Sequence, residues 1–365
     1  MEEMKHPQLP TIDILEYEHL MDSACLGPAD WRTFACDIER HYYAYDGFVI
    51  VHGTDTMAYT ASALVRPPLG TSVACVRSDN WFPIKTTPHT NTATQSYMLE
   101  NLGKPVVLTG SQLPLAEVYT DAQQNLKLSI IFASQGEFNE VSIFFGNRLL
   151  RGCRASKVHS FDLNAFASPN FPPLATVGVN LEIRPDLALP PPRKPLAVHK
   201  EMSAHIIVIR LVPGFADDAL FAIINAAPTL HGLILLIYGT GNAPSTRSGL
   251  LEAVRIATAK GIVVVALTQC HQGGVLLEKY SVGLALKEAG VLSGGDMSTE
   301  ACATKLAYLF GRLKDPEAVK RHLGMDLRGE LSPASKWEKS ILTHHEGGGN
   351  PTTGQRRIPQ PQSRL

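Results

Sequence analysis

A hydroxyl and a carboxylate stand side by side in His52-Gly53-Thr54-Asp55-Thr56-Met57, directly after the apolar run Gly47-Phe48-Val49-Ile50-Val51. A buried strand that ends there and passes into a helix brings side chains and free backbone N–H groups to one point. Such a point can hold a substrate carboxylate or orient a water. Thr and Asp are also favoured helix caps, so a purely structural N-cap is the competing reading. A second strand-end motif, Thr109-Gly110-Ser111-Gln112, supplies polar side chains and a glycine that permits close backbone approach; a satisfied strand-to-helix turn is its alternative. In Arg151-Gly152-Cys153-Arg154-Ala155-Ser156-Lys157, a partly desolvated lysine can activate a hydroxyl nucleophile or relay its proton. The same three cations can equally form a solvated basic face. Tyr238-Gly239-Thr240-Gly241-Asn242-Ala243-Pro244 is a glycine-rich turn without the GxGxxG spacing of a dinucleotide site.

Other residue types carry less. His52 reads as a packed or hydrogen-bonded strand-end residue rather than a ligand. Thr268-Gln269-Cys270-His271 has no nearby carboxylate to orient the histidine, and no GxSxG elbow occurs. The six cysteines contain no CxxC pair, which indicates neither a zinc site nor a disulfide framework, and suits reduced thiols in the cytoplasm. No cofactor and no metal are expected.

These motifs need a scaffold that ends several strands at one edge. Apolar, β-branched runs at 48–51, 105–108, 141–145, 206–209, 233–238 and 262–267 alternate with helical patterns such as 28–43 and 245–260. Several of the runs lack strict polar alternation, as expected of strands buried on both faces of a parallel sheet. The rhythm predicts an α/β protein: a parallel-sheet large N-terminal domain over 1–184 and a smaller Rossmann-like α/β C-terminal domain over 196–332. The proline-rich stretch 185–195 reads as a linker, and 333–365 as a disordered tail. Residues 65–95, rich in Pro and Thr, interrupt the pattern. Without them, 56–64 and 96–102 join into one helix with Met57, Ala61, Leu64, Leu99 and Leu102 on a single stripe. A loop of this length is uncommon in a compact domain. The segment is therefore expected to be a retained intron or gene-model artefact, its edges at Val65 and Gln95 being compatible with splice-site codons; a lid loop is the alternative.

At 365 residues, 44% hydrophobic and 18% charged, the chain can bury a sizeable core. A formal net charge of −1 gives no reason to expect nucleic acid or an anionic membrane as partner. No apolar run approaches the roughly 18 to 20 residues of a membrane span.

The run 46–64 strongly resembles the L-asparaginase family, in particular its intracellular type I branch. The segments 98–112, 238–244 and Leu327-Arg328-Gly329-Glu330-Leu331 reinforce the resemblance, which covers roughly 8–64 and 96–332. It implies hydrolysis of L-asparagine to aspartate and ammonia, through a threonine nucleophile and an acyl-enzyme, in a homo-oligomer. By resemblance, Thr54 is the second catalytic threonine, Asp55 binds the substrate ammonium and couples to the lysine, and Lys157 assists proton transfer. Asp22 and Ser23 match a substrate-binding Asp-Ser pair, and Asn242 an asparagine that faces a neighbouring subunit's site. Thr268, Gln269 and Cys270 match half of an effector site whose arginine is here Leu236.

The departures are as specific. The family's nucleophile closes a first strand as Thr-Gly-Gly-Thr-Ile, and no Thr-Gly-Gly-Thr occurs in this sequence. The resemblance therefore implies a sheet lacking a central strand, stabilised poorly or by a strand borrowed from elsewhere, and little activity. The alternatives are an inactive pseudoenzyme or truncated isoform that binds amino acid or pairs with full-length subunits, and a lysophospholipase-type hydrolase.

Overall fold

The computed structural model describes residues 10–16, 22–64, 72–77, 97–244 and 248–333. Its N-terminal half runs β1 (Thr11–Glu16), α1 (Pro28–His41), β2 (Gly47–Val51), α2 (Met57–Ala63), β3 (Ser72–Arg77), β4 (Leu99–Glu100), β5 (Val106–Thr109), α3 (Ala122–Gln135) and β6 (Val141–Phe145). There follow β7 (Arg148–Arg151), β8 (Ser156–Lys157), β9 (Phe166–Ala167), β10 (Ala175–Val177), β11 (Leu181–Ile183) and β12 (Ala197–Val198). The remainder is β13 (Ile206–Arg210), α4 (Asp217–Ala226), β14 (Gly232–Ile237), α5 (Ser248–Ala259), β15 (Val263–Thr268), α6 (Ser281–Glu288), β16 (Leu292–Ser293), α7 (Thr299–Arg312) and α8 (Pro316–Leu323).

Eight strands form one sheet in the order β1-β3-β2-β5-β6-β7-β10-β11. Its centre, β2-β5-β6, is parallel, with Val49 opposite Val107 and Val107 opposite Ser142, and antiparallel strands flank it. Side chains alternate between two apolar layers. Phe48, Ile50, Val106, Leu108, Ile143 and Phe145 join Phe34 and Ile38 of α1 and Met57 and Ala61 of α2. Val49, Val107 and Phe144 join Ile130 and Ala133 of α3 on the other face. Burial on both faces is why these segments read as unbroken apolar runs.

Within the segment 65–95, which sequence reasoning set aside as an insert, residues 72–77 form a strand. As β3 they lie between β1 and β2, antiparallel to both, with Glu16 opposite Ser72 and Ser72 opposite Val51. Val73 and Cys75 enter one apolar layer, Ala74 and Val76 the other, so β3 is buried like its neighbour β2. The run 73–76 is no shorter than others that read as strands; the Pro- and Thr-rich sequence of 65–95 around it is why it was passed over. The rest of that segment, 65–71 and 78–95, lies outside the described residues.

With 65–95 present in the chain, 56–64 and 96–102 do not share a helix. α2 stops at Ala63, and Leu64 takes φ 21°, outside the helical region. The Met98 N–H donates to the Ala63 carbonyl at 3.2 Å, and Leu99–Glu100 then pairs antiparallel with Ala197–Val198. Leu99 and Leu102, placed on that stripe, are buried, and so is Met98, in a turn and a short strand.

The second sheet is parallel throughout, in the order β13-β14-β15-β16. α4 and α5 cover one face through Leu220, Ile224, Leu250 and Val254; α7 and α8 cover the other through Leu306, Leu309, Val319 and Leu323. The expected helix at 245–260 is present as α5, while 245–247 and the tail from 334 lie outside the described residues.

The segment 327–331 fastens the two sheets' surroundings together. Glu330 is fully buried and paired with Lys305 of α7 at 2.5 Å, and the Lys305 ammonium also donates to the Leu323 and Met325 carbonyls. Arg154 donates from Nε to the Gly329 carbonyl at 2.6 Å and from Nη1 to Asp296 at 3.0 Å. Removing one member of such a buried pair leaves an uncompensated charge.

Two outcomes follow for stability. Val76→Asp places a carboxylate between the apolar layers and should cost about 3 kcal/mol or more in denaturant unfolding, against little effect if 72–77 were outside the sheet. Lys305→Met, which strands Glu330, should cost about 3–5 kcal/mol by the same measurement.

Candidate active site

The carboxyl ends of β2 and β5 set the geometry of the first motif. The His52 N–H donates to the Thr109 carbonyl at 2.7 Å, which holds the two strand ends together as the chain turns into α2. A Cβ on Gly110 would run into the His52 carbonyl, so only glycine allows this approach. The His52 ring is buried. Its Nδ1 donates to the Gly53 carbonyl at 2.5 Å, which leaves Nε2 to accept from the Thr60 hydroxyl at 3.0 Å. Burial pulls its pKa down to about 4, the bond to Gly53 opposing that fall only in part. The neutral ring is therefore a brace for the turn, as the sequence suggested, and not a ligand.

Thr54 and Asp55 project from this turn toward Lys157. The lysine Nζ donates to Thr54 Oγ1 at 2.8 Å and to Asp55 Oδ1 at 2.7 Å, across about a hundred residues of chain. Neither side chain caps α2; the helix begins after Thr56, whose hydroxyl donates to the Ser23 carbonyl at 2.7 Å. The N-cap alternative for Thr54 and Asp55 is thereby set aside. So is the solvated basic face. Arg151 and Arg154 are buried and paired with Glu140 and Asp296, while the Lys157 side chain is only 20% exposed. The lysine sits on β8, which among the described residues pairs with β9, Lys157 standing opposite Phe166.

Asp22 and Ser23 reach the same turn. Asp22 is exposed and accepts from the Ala24 N–H at 3.0 Å, capping a short 3-10 turn. Ser23 is buried against Gly53, where an added Cβ would stand 2.7 Å from both Cβ and Oγ of the serine. Gly53 is thus a space requirement. The Thr109-Gly110-Ser111-Gln112 motif proves to be mainly a satisfied turn. The Thr109 hydroxyl donates to the Phe144 carbonyl, and Asp121 accepts from the Gln112 and Leu113 N–H groups. Gln112 Nε2 donates to the Ser160 and Asp162 carbonyls, which pins the loop that follows Lys157.

The remaining predicted residues lie in the C-terminal half. Asn242 closes a backbone bridge with Tyr238, and among the described residues no hydrogen bond joins it to Thr54, Asp55 or Lys157. Thr268, Gln269 and Cys270 line a cavity of about 200 Å³ that Lys157 and Glu300 also line. Gln269 Nε2 is committed to the Leu211 and Leu236 carbonyls, and Thr268 Oγ1 accepts from the Cys270 N–H. Arg210 lines this cavity beside Leu236, its register partner one strand away. Sequence reasoning missed Glu300, which accepts from the Ser156 hydroxyl at 3.0 Å and whose carboxyl is pushed up by burial. It also missed the Arg154–Asp296 pair. Both are long-range partnerships with no local signature.

Two sequence models match the chain: one described as Asparaginase, N-terminal, over residues 2–66 and 90–188, and one described as Glutaminase/Asparaginase C-terminal domain, over 205–323. The chain is 42% identical over 333 residues to L-asparaginase 1 of Escherichia coli, covering 91% of this chain and 88% of that one. It is 38% identical over 340 residues to the 60 kDa lysophospholipase of Homo sapiens, covering 92% of this chain and 53% of that longer protein. Among solved structures, L-asparaginase I from Vibrio cholerae superposes with a TM-score of 0.77 at 40% identity, covering 91% of this chain and 90% of that one. The N-terminal match leaves out 67–89, the stretch that contains β3.

His52 makes the site's stability depend on pH. Its folded pKa of about 4 lies below the ordinary 6.5, so between these values the unfolded chain binds the extra proton and stability falls as pH falls. The full effect is about 3 kcal/mol between pH 6.5 and 4. Asp326, raised to about 6 mainly by burial, opposes it by favouring the folded state as pH falls toward 3.8. Comparing unfolding free energies of the wild type and His52→Gln across this range isolates the histidine: the variant should lack the acid-side loss that His52 imposes.

Proposed function

The chain belongs to the asparaginase family, and from that premise we propose that its site is built for L-asparagine, with the side-chain amide as the bond addressed. The observation that carries this reading is the Lys157 ammonium shared between Thr54 Oγ1 and Asp55 Oδ1. An ammonium donating to a hydroxyl and a carboxylate can hold a proton near the point where an amide is attacked and leaves as ammonia. Asp55 is 63% exposed on its side chain, so it can meet a ligand's ammonium while still bound to Lys157. In this reading Ser23, packed beside Gly53, receives the α-carboxylate, with Asp22 next to it. In this reading Thr54 orients and Lys157 relays.

The nucleophile is a separate matter. A Thr-Gly-Gly-Thr motif is absent from the 365 residues, and β3 occupies the sheet position beside β2. The proposal is therefore a site that binds L-asparagine while this chain alone turns it over several orders of magnitude more slowly than a complete covalent centre. A homo-oligomer in the cytoplasm, with Asn242 turned to a neighbouring subunit, belongs to the same proposal. No helix among the described residues is long and apolar enough to cross a membrane. The Thr268-Gln269-Cys270 loop is read as the remnant of an effector site, and with Leu236 in place of an arginine no effector response is expected.

Ammonia release and titration calorimetry on the purified chain test both parts. L-asparagine should bind, Lys157→Ala should weaken binding by about tenfold, and ammonia should stay near background. Robust turnover would overturn the missing-nucleophile reading. Absence of binding would overturn the substrate assignment.

A further inference from the structure

Lys157 is a long, rotamer-rich side chain on a strand of two residues, and such a side chain needs something to aim it. Consecutive residues of a strand project to opposite sides, so fixing Ser156 fixes the direction available to Lys157. The Ser156 hydroxyl donates to Glu300 Oε2 at 3.0 Å, and the Lys157 ammonium goes the other way, to Thr54 and Asp55. Glu300 itself is held firmly. It stands in the first turn of α7, whose N-cap Ser298 accepts from the Ala301 N–H at 3.1 Å. α7 also packs against α2, the helix that begins just after Thr54 and Asp55. One helix therefore touches both sides of the lysine's contacts: the strand that carries it and the element that receives it. Glu300 lies in the part of the chain matched by the C-terminal family domain, and Ser156 and Lys157 in the part matched by the N-terminal one.

We propose that Glu300 is a positioning residue for Lys157: through the Ser156 hydroxyl it locks the face of β8, so that the lysine meets Thr54 and Asp55. The C-terminal half of the chain thereby sets the geometry of a site whose acceptors all come from the N-terminal half. Glu300 also lines the cavity shared with Lys157 and Arg210, so a group entering there meets the link directly. The inference rests on the reading of Lys157 as a site residue, but its consequence is visible without turnover.

The test is amine labelling of the intact folded protein with acetic anhydride, with the modified lysines read by peptide mass. In the wild type, Lys157 is slow because two acceptors hold its ammonium. Ser156→Ala and Glu300→Ala should each raise its labelling rate about threefold or more, and the double variant should add little, since both break one link. Glu300→Gln keeps an oxygen that can accept from Ser156 and should stay near the wild-type rate. Lys305, fully buried on the same helix α7, is the internal control and should remain protected in every variant. Unchanged Lys157 labelling in folded Ser156→Ala and Glu300→Ala would overturn the proposal. So would a parallel rise at Lys305, which would show general loosening of α7. If Glu300→Ala does not fold, Ser156→Ala and Glu300→Gln still decide it. Failure here leaves asparagine binding untouched, and failure of binding leaves the labelling result standing.

Discussion

One ammonium shared by two oxygens organises the site: Lys157 Nζ between Thr54 Oγ1 and Asp55 Oδ1. Charge-assisted bonds of this length are strong only where the partners are already in place, because a lysine side chain gives up considerable rotamer entropy to be held. The surrounding structure supplies that placement. Thr54 and Asp55 are fixed by a turn braced from within by neutral His52 and closed from outside by Ser23 against Gly53. Lys157 is fixed by β9 and by Ser156 on Glu300. Nearby, Arg154 is neutralised by Asp296 and bonded to Gly329, so its charge is spent on the fold.

The sheet beneath the site obeys a second constraint, burial of its central strands on both faces. α1 and α2 cover one face and α3 the other, so the central strands are apolar at consecutive positions. β3 meets that demand with Val73, Ala74, Cys75 and Val76, even though it comes from a stretch that the N-terminal family match leaves out. Its direction has a consequence. Antiparallel to β2, it brings its first residue to the edge where Thr54 emerges. A parallel strand would have brought its last. The fold is completed at this position in a different sense from its parallel neighbours β2 and β5.

The parts of this architecture legible in the sequence are those with local causes. The strands at 48–51 and 141–145 and the helices α1 and α5 follow from apolar runs, proline and glycine placement. The Thr54-Asp55 pair is conspicuous for the same reason, a polar couple at the end of a buried run. Its link to Lys157, 103 residues away, came through family resemblance; spacing alone left a solvated lysine as the competing reading. What stayed hidden depended on partners distant in sequence. Glu300 is 144 residues from Ser156, and nothing around it marks it as more than a residue in a helix's first turn. β3 was hidden because its short apolar run lies within a Pro- and Thr-rich segment that read as a loop or insert. Leu99 and Leu102 are buried, as on the helix they would join without 65–95, but here in a short strand and the turn after it, which burial alone does not distinguish.

The central claim is that Thr54, Asp55 and Lys157 form a preassembled site for an amino acid carrying a side-chain carbonyl. A high-resolution crystal structure of the protein soaked with L-aspartate examines it most directly. The account predicts Lys157 Nζ within hydrogen-bond distance of both Thr54 and Asp55, with the ligand's ammonium on Asp55 and its α-carboxylate against Ser23. A lysine turned away from Thr54, or aspartate bound elsewhere with this pocket open and accessible, would contradict it.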